Sequence, residues 1–109
     1  MSKFKFHRNC VFQITFSNGF TVSLSSTGGS YSDNRNLEYT SVNPTQNEVE
    51  CIEVACWNNN MDNNFVRLGE YDDVLGYVDA DKVASIIDVV SKAKNKEEII
   101  EGVIKLGIE

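Results

Sequence analysis

Residues 10–24 have the sequence CVFQITFSNGFTVSL, in which two stretches of alternating apolar and polar residues flank an Asn-Gly pair. The alternation is typical of β-strands with one buried face, and Asn-Gly is a strong hairpin signal. A three-residue loop, 17–19, would pair Phe16 with Phe20 and place six apolar side chains on one face. A two-residue loop would spread them over both faces. We therefore expect the three-residue loop, with Gly19 in the left-handed conformation of a bulge.

Three further strands are predicted after this hairpin, at 49–57, 65–68 and 74–78. The first is a long, mostly apolar run, and the second would return after an asparagine-rich turn. The segment 25–46, between the hairpin and the first of these strands, is polar and rich in turn-forming residues, and long loops of this kind often carry function. Residues 1–8 are expected to form a frayed, basic N-terminus.

Two amphipathic helices are predicted after the strands. Apolar residues recur at helical spacing over 80–93, and Asp79 is the expected N-cap. A capping box at 95–98 begins a second helix over 96–106, which Gly107 ends. The order predicts one α+β domain over 1–109: an antiparallel sheet of four to five strands followed by two C-terminal helices packed on one face. The residues expected in one core are Phe12, Ile14, Phe16, Val22, Leu24, Ile52, Val54, Ile86, Ile87, Val90 and Ile100.

The charge of the chain is unevenly distributed. Its 109 residues carry a net charge of −6. Residues 1–8 are basic, residues 9–81 hold eleven acids against Arg35 and Arg67, and residues 82–109 are balanced. Duplex nucleic acid binding needs several cations that face phosphates, so we expect that this protein does not bind duplex nucleic acid. No apolar run is long enough to span a membrane, and no signal peptide is recognised, which predicts a cytoplasmic protein without a membrane partner.

No catalytic or metal-binding constellation stands out. His7 is the only histidine, and the three cysteines form no Cys-x-x-Cys pair. The glycine-rich stretch 26–30 lacks the lysine of a phosphate loop. Asn58, Asn60 and Asp62 have the spacing of calcium ligands, but the loop glycine is missing. We therefore expect no enzymatic activity, no cofactor and no bound metal.

Two arginines are candidate ligand-binding residues. Arg35 and Arg67 are the only cations in the central part of the chain, and the guanidinium fork binds phosphate or carboxylate bidentately. For Arg67 the alternative is a strand residue that faces solvent or pairs with a glutamate.

Aromatic, carboxylate and amide side chains complete the candidate site. Trp57 ends an otherwise apolar strand, and Tyr31 lies in the long loop, so both could stack on a ring. Asp33 and Asn36 neighbour Arg35 and would bind sugar or base edges. Trp57 and the tyrosines are also more aromatic surface than a small monomer easily covers, which predicts a homo-oligomer.

Five short motifs resemble small proteins of tailed bacteriophages. They are ITFSNGFTVS at 14–23, GGSY at 28–31, NRN at 34–36, EVACW at 53–57 and GYV at 76–78. The predicted layout is also similar to that of the Thoeris anti-defence sponges, oligomers that sequester cyclic nucleotide signals. The resemblance implies a counter-defence protein of the host cytosol that binds a small anionic ligand such as a cyclic nucleotide.

Two other functions fit the acidic sequence. The protein could be an acidic inhibitor that blocks a basic host defence enzyme, such as a CRISPR effector. It could also be an accessory structural phage protein.

Overall fold

The computed structural model describes residues 2–7, 11–26, 32, 49–59, 65–69 and 73–107. Within them the strands are β1 (Lys3–His7), β2 (Val11–Thr15), β3 (Phe20–Ser25), β4 (Cys51–Asn58) and β5 (Leu75–Asp79). Two helices follow, α1 (Ala80–Lys92) and α2 (Lys96–Leu106). The strands form one antiparallel sheet in the order β1-β2-β3-β4-β5. The predicted α+β fold, a sheet followed by two helices, is confirmed.

The β2–β3 hairpin has the predicted three-residue loop. The Phe16 backbone N–H donates to the Phe20 carbonyl at 2.9 Å, and the Gly19 N–H donates to the Phe16 carbonyl at 3.0 Å. Gly19 has a φ of +92°, a conformation that costs glycine little because it has no Cβ. Ile14 therefore lies opposite Val22, as the shared apolar face requires.

The N-terminal segment is a paired strand, so the prediction of a frayed terminus was wrong. β1 pairs with β2 over its whole length, from Lys3 opposite Thr15 to His7 opposite Val11. The local reason is the Lys-Phe-Lys-Phe alternation of residues 3–6, which has the period of a strand with two different faces.

The predicted strand at 65–68 is reduced to one bridge. Phe65 bridges to Trp57, and the Val66 N–H donates to the Cys56 carbonyl at 2.8 Å. The N-terminal half of the same β4 edge is occupied by β5, where Ile52 pairs with Val78. Only the last residues of β4 are left to pair with the returning chain.

The core lies between the sheet and the helices, where α1 packs against β3 and β5, and α2 packs against α1. Val22, Val54, Ile86 and Val90 are fully buried, as predicted. The complete buried cluster is Phe20, Val22, Val54, Cys56, Val66, Leu68, Leu75, Val78, Val83, Ile86, Val90, Ala93, Ile99 and Val103. Five predicted core residues pack against it while partly exposed: Phe16, Leu24, Ile52, Ile87 and Ile100.

Phe12 and Ile14 do not belong to this cluster, so their assignment to the core was wrong. Both lie on β2, whereas the sheet contacts of α1 are concentrated on β3 and β5. The apolar face of the sheet is therefore wider than the helices that cover it.

Both helices begin and end close to the predicted positions. Asp79 Oδ1 accepts from the Lys82 N–H at 2.9 Å, and Asn95 Oδ1 accepts from the Glu98 N–H at 2.9 Å. Gly107 ends α2 with a φ of +66°. Among the described residues, no helix is both long and apolar enough to cross a bilayer.

Candidate ligand-binding site

The face of the sheet that the helices leave open carries polar side chains in rows. Successive residues of a strand point to opposite faces, so the neighbours of Val22 point away from the core. Lys3 pairs with Thr15, Thr15 with Thr21, and Thr21 with Trp57, which makes one row across four strands. The row ends in a cation on the β1 side and in an indole on the β4 side.

A cleft of about 160 Å³ lies on this face. Among the described residues it is lined by Lys3 and Lys5 of β1, Gln13 and Thr15 of β2, Thr21 of β3, and Trp57 and Asn59 at the end of β4. Thr21 is 1% exposed, so its hydroxyl forms the floor of the cleft. The lining thus combines two ammonium groups, one large aromatic ring and several neutral hydrogen-bonding groups.

A hydrogen-bond relay orders the neutral groups. The Thr21 hydroxyl donates to Asn59 Oδ1 at 2.8 Å. Thr15 Oγ1 lies 2.8 Å from Thr21 Oγ1, and because the Thr21 proton is committed to Asn59, Thr15 is the donor of that bond. Asn59 thereby presents its oxygen to the relay, and its Nδ2 group keeps two N–H donors for another acceptor.

Trp57 is held by an aromatic neighbour. Its ring centroid lies 5.6 Å from that of Phe65, with the planes at 61°. An edge-to-face contact of this kind orients an indole while leaving a ring face open for stacking. Trp57 is half-buried and lines the cleft.

The cleft is locally basic in an acidic chain. Its described lining holds two lysines and no carboxylate. Lys92 pairs with Asp88 on α1, and Lys3 and Lys5 form no ion pair with an acid among the described residues. An anion that reaches this face therefore meets positive charge that no described acid neutralises.

The six predicted site residues have different outcomes. Trp57 lines the cleft. Arg67 does not; it is exposed, and its Nε donates to the Gly69 carbonyl at 3.4 Å. The other four predicted residues lie outside the described residues: Tyr31, Asp33, Arg35 and Asn36.

Sequence reasoning missed the two lysines because residues 1–8 were expected to be frayed. The alternation of Lys3 and Lys5 with Phe4 and Phe6 was the signal that would have found them, since it predicts a strand with one cationic face. In the part of the chain that the structure describes, no group of three or more His, Cys, Asp or Glu side chains could hold a metal ion.

Comparison with protein-family models, with curated proteins and with solved structures gives no match for this chain. The function is therefore inferred from the geometry of its own residues.

Proposed function

We propose that this protein binds a small anionic ligand that carries a planar ring, and that it holds the ligand unchanged in the cleft of the open sheet face. The observation that carries the proposal is the placement of Lys3, Lys5 and Trp57 around one cleft. Lysine supplies a point charge for a phosphate or similar anion, and indole supplies a stacking surface.

The dimensions of the row suit a nucleotide-like ligand. Lys3 and Trp57 are three strand spacings apart, roughly 14 Å between backbones at ~4.8 Å per strand. The flexible lysine side chain can lean across part of that distance. A ring stacked on Trp57 would then place an attached anionic group within reach of the ammonium groups, with Thr15 and Asn59 beneath it for hydrogen bonds to sugar or ring edges.

The cleft volume limits how much of a ligand is enclosed. Its 160 Å³ is below the ~300–1,000 Å³ of sites that enclose a drug-sized ligand. One ring and one anionic group would fill it, and the rest of a larger ligand, such as a cyclic nucleotide, would lie along the open face.

The lining favours binding over catalysis. Its described residues include no carboxylate, imidazole or thiol, the groups that most often act as general acid, general base or nucleophile. This supports a sequestering protein, and the narrower hypothesis is a phage-type counter-defence protein that removes a cyclic nucleotide signal. An acidic inhibitor of a basic host enzyme is less favoured, because α1 mixes its acids with lysines, as in the Asp88–Lys92 pair.

The single tryptophan gives a direct test. Trp57 is the only tryptophan in the chain, so a ring that stacks on it quenches the whole indole fluorescence. We expect adenosine monophosphate and a cyclic dinucleotide to quench it saturably, and to raise the melting temperature. Uncharged adenosine should bind at least tenfold more weakly, because it lacks the anion that the lysines recognise.

Matched variants distinguish an effect of the two cleft lysines from a general effect of positive charge on the protein. Lys3→Gln/Lys5→Gln removes two cations from the cleft, and Lys94→Gln/Lys105→Gln removes two exposed cations from the helices. We expect the first pair to abolish quenching and the second to leave it unchanged. Equal losses in both variants, or turnover of the nucleotide, would overturn the proposal.

A further inference from the structure

β1 is an edge strand of the described sheet. In the part of the chain that the structure describes, it pairs with β2 and with no other strand. The Phe16 N–H and C=O point toward β3, so by alternation along β2 those of Gln13 and Thr15 point toward β1. Their partners Lys5 and Lys3 therefore point inward. The backbone groups of Phe4 and Phe6, the intervening residues, point away from β2, toward the edge of the described sheet.

The side chains of this edge are also uncovered. Phe4 is 66% exposed and Phe6 is 74% exposed, and both rings stack on Phe12 with centroids 5.7 and 5.0 Å away. These three rings form an aromatic ledge beyond the area that α1 covers. A ledge of exposed aromatic rings beside an unpaired edge is the surface that strand addition buries.

The charge on the opposite face of β1 determines which kind of strand can pair with this edge. Lys3 and Lys5 lie there, exposed and without an acidic partner among the described residues. If a second copy paired its β1 antiparallel to this one about a two-fold axis, lysines would lie opposite lysines on the same face. Like charges directly opposite each other destabilise a strand pair, and edge lysines are a common protection against such self-pairing.

We propose that the β1 edge binds an extended segment of another protein in which acidic and apolar residues alternate. The segment would add as a sixth strand and would form backbone hydrogen bonds with Phe4 and Phe6. Its carboxylates would lie beside Lys3 and Lys5, and its apolar side chains would cover the aromatic ledge. This inference does not depend on the identity of the small ligand, although both would use the two lysines.

Fluorescent peptides test the chemistry of the partner. One short peptide alternates glutamate with valine, and a control peptide alternates lysine with valine. We expect saturable binding of the first, weakened by salt, and at least tenfold weaker binding of the second. Amide hydrogen exchange at Phe4 and Phe6 should slow on binding of the first peptide. Equal binding of both peptides, or binding that leaves these amides unprotected, would overturn the proposal.

Two substitutions at one position isolate the backbone contribution. Phe4→Ala removes a ring from the ledge, whereas Phe4→Pro removes the ring and the outward N–H, and leaves the inward bonds to β2 intact. The proline variant should bind the glutamate–valine peptide about fivefold more weakly than the alanine variant, the value of one hydrogen bond. Equal affinities of the two variants, measured with unchanged melting temperatures, would contradict strand addition. Protection of the Phe4 and Phe6 amides in a dimer without peptide would assign the edge to a second copy and would also overturn the proposal.

Discussion

The side-chain amide of Asn18 donates a hydrogen bond to the carbonyl oxygen of Val90 at 2.8 Å. The same Nδ2 group donates to the Ala93 carbonyl at 2.9 Å, and Asn18 Oδ1 accepts from the Phe20 N–H at 3.1 Å. The last carbonyls of a helix have no partner within the helix. One loop side chain therefore caps the C-terminal end of α1 and ties it to the β2–β3 hairpin.

Substitution of Asn18 should destabilise the protein in a graded way. Asn18→Ala removes the cap and should lower the free energy of unfolding by about 1–3 kcal/mol. Asn18→Asp should cost more, because it replaces the donor with a carboxylate at the negative end of the helix. Urea unfolding at neutral pH measures both. An aspartate variant as stable as the native protein would show that the hydrogen bonds of Asn18 to α1 do not stabilise the fold.

Gly102 permits the close approach of the two helices. A Cβ at this position would lie 2.6 Å from Val89 Cγ1, and a β-branched side chain on a helix has little freedom to move. Gly102→Ala should therefore destabilise the protein by about 1 kcal/mol, despite the gain of similar size in helix propensity. Adding Val89→Ala should recover stability in a double-mutant cycle. Additive losses would show that the contact is not the cause.

Cys56 should make stability fall at high pH. Burial raises the pKa of this thiol from 9.0 to about 12, so between those values the folded state holds a proton that the unfolded chain releases. The contribution is fully present below pH 9 and is lost as the pH rises to 12, a decrease of about 4 kcal/mol at most. Denaturant unfolding from pH 8 upward measures it, and Cys56→Ala should show a shallower decline. Parallel curves for the two proteins would exclude the thiol as the source.

Tyr77 occupies a strained position in β5. It has a φ of +52°. It lies in a β-bulge of β5, opposite Glu53, the residue of β4 between Ile52 and Val54. A β-branched residue tolerates this conformation least, and asparagine tolerates it well. Tyr77→Val should therefore be about 1–2 kcal/mol less stable than Tyr77→Asn by thermal or urea unfolding. If valine is tolerated as well as asparagine, the strain is absent.

The anionic ligand and the acidic strand should compete, because both place negative charge beside Lys3 and Lys5. Saturating adenosine monophosphate should weaken the binding of the glutamate–valine peptide, measured by anisotropy, whereas adenosine should not. Independent binding would mean that the two do not share these lysines.

Self-association stays a separate prediction, which light scattering tests by a mass above 12.2 kDa.

The elements that follow local rules were predictable from the sequence. The hairpin loop at Gly19 and the caps at Asp79 and Asn95 depend on residues a few positions apart, and all three are confirmed. The reduction of 65–68 to one bridge depends on competition for the β4 edge, which no local pattern contains.

The candidate site was less predictable for the same reason. Trp57 was recognised as an aromatic at a strand end, but its neighbours across the cleft come from β1, more than fifty residues away in sequence. Arg67 was chosen for its charge against an acidic background, and it lies outside the cleft. Neither its charge nor its position in the sequence indicates whether it joins the row of residues that lines the cleft.

The strand order has a consequence for synthesis on the ribosome. Each strand of the sheet pairs with the one made before it, so pairing can follow the emerging chain from β1 to β5. The helices that cover Val22 and Val54 are made after all five strands. The nascent sheet therefore exposes its apolar face until α1 and α2 emerge, and the hydrogen bonds from Asn18 to the end of α1 can form only then.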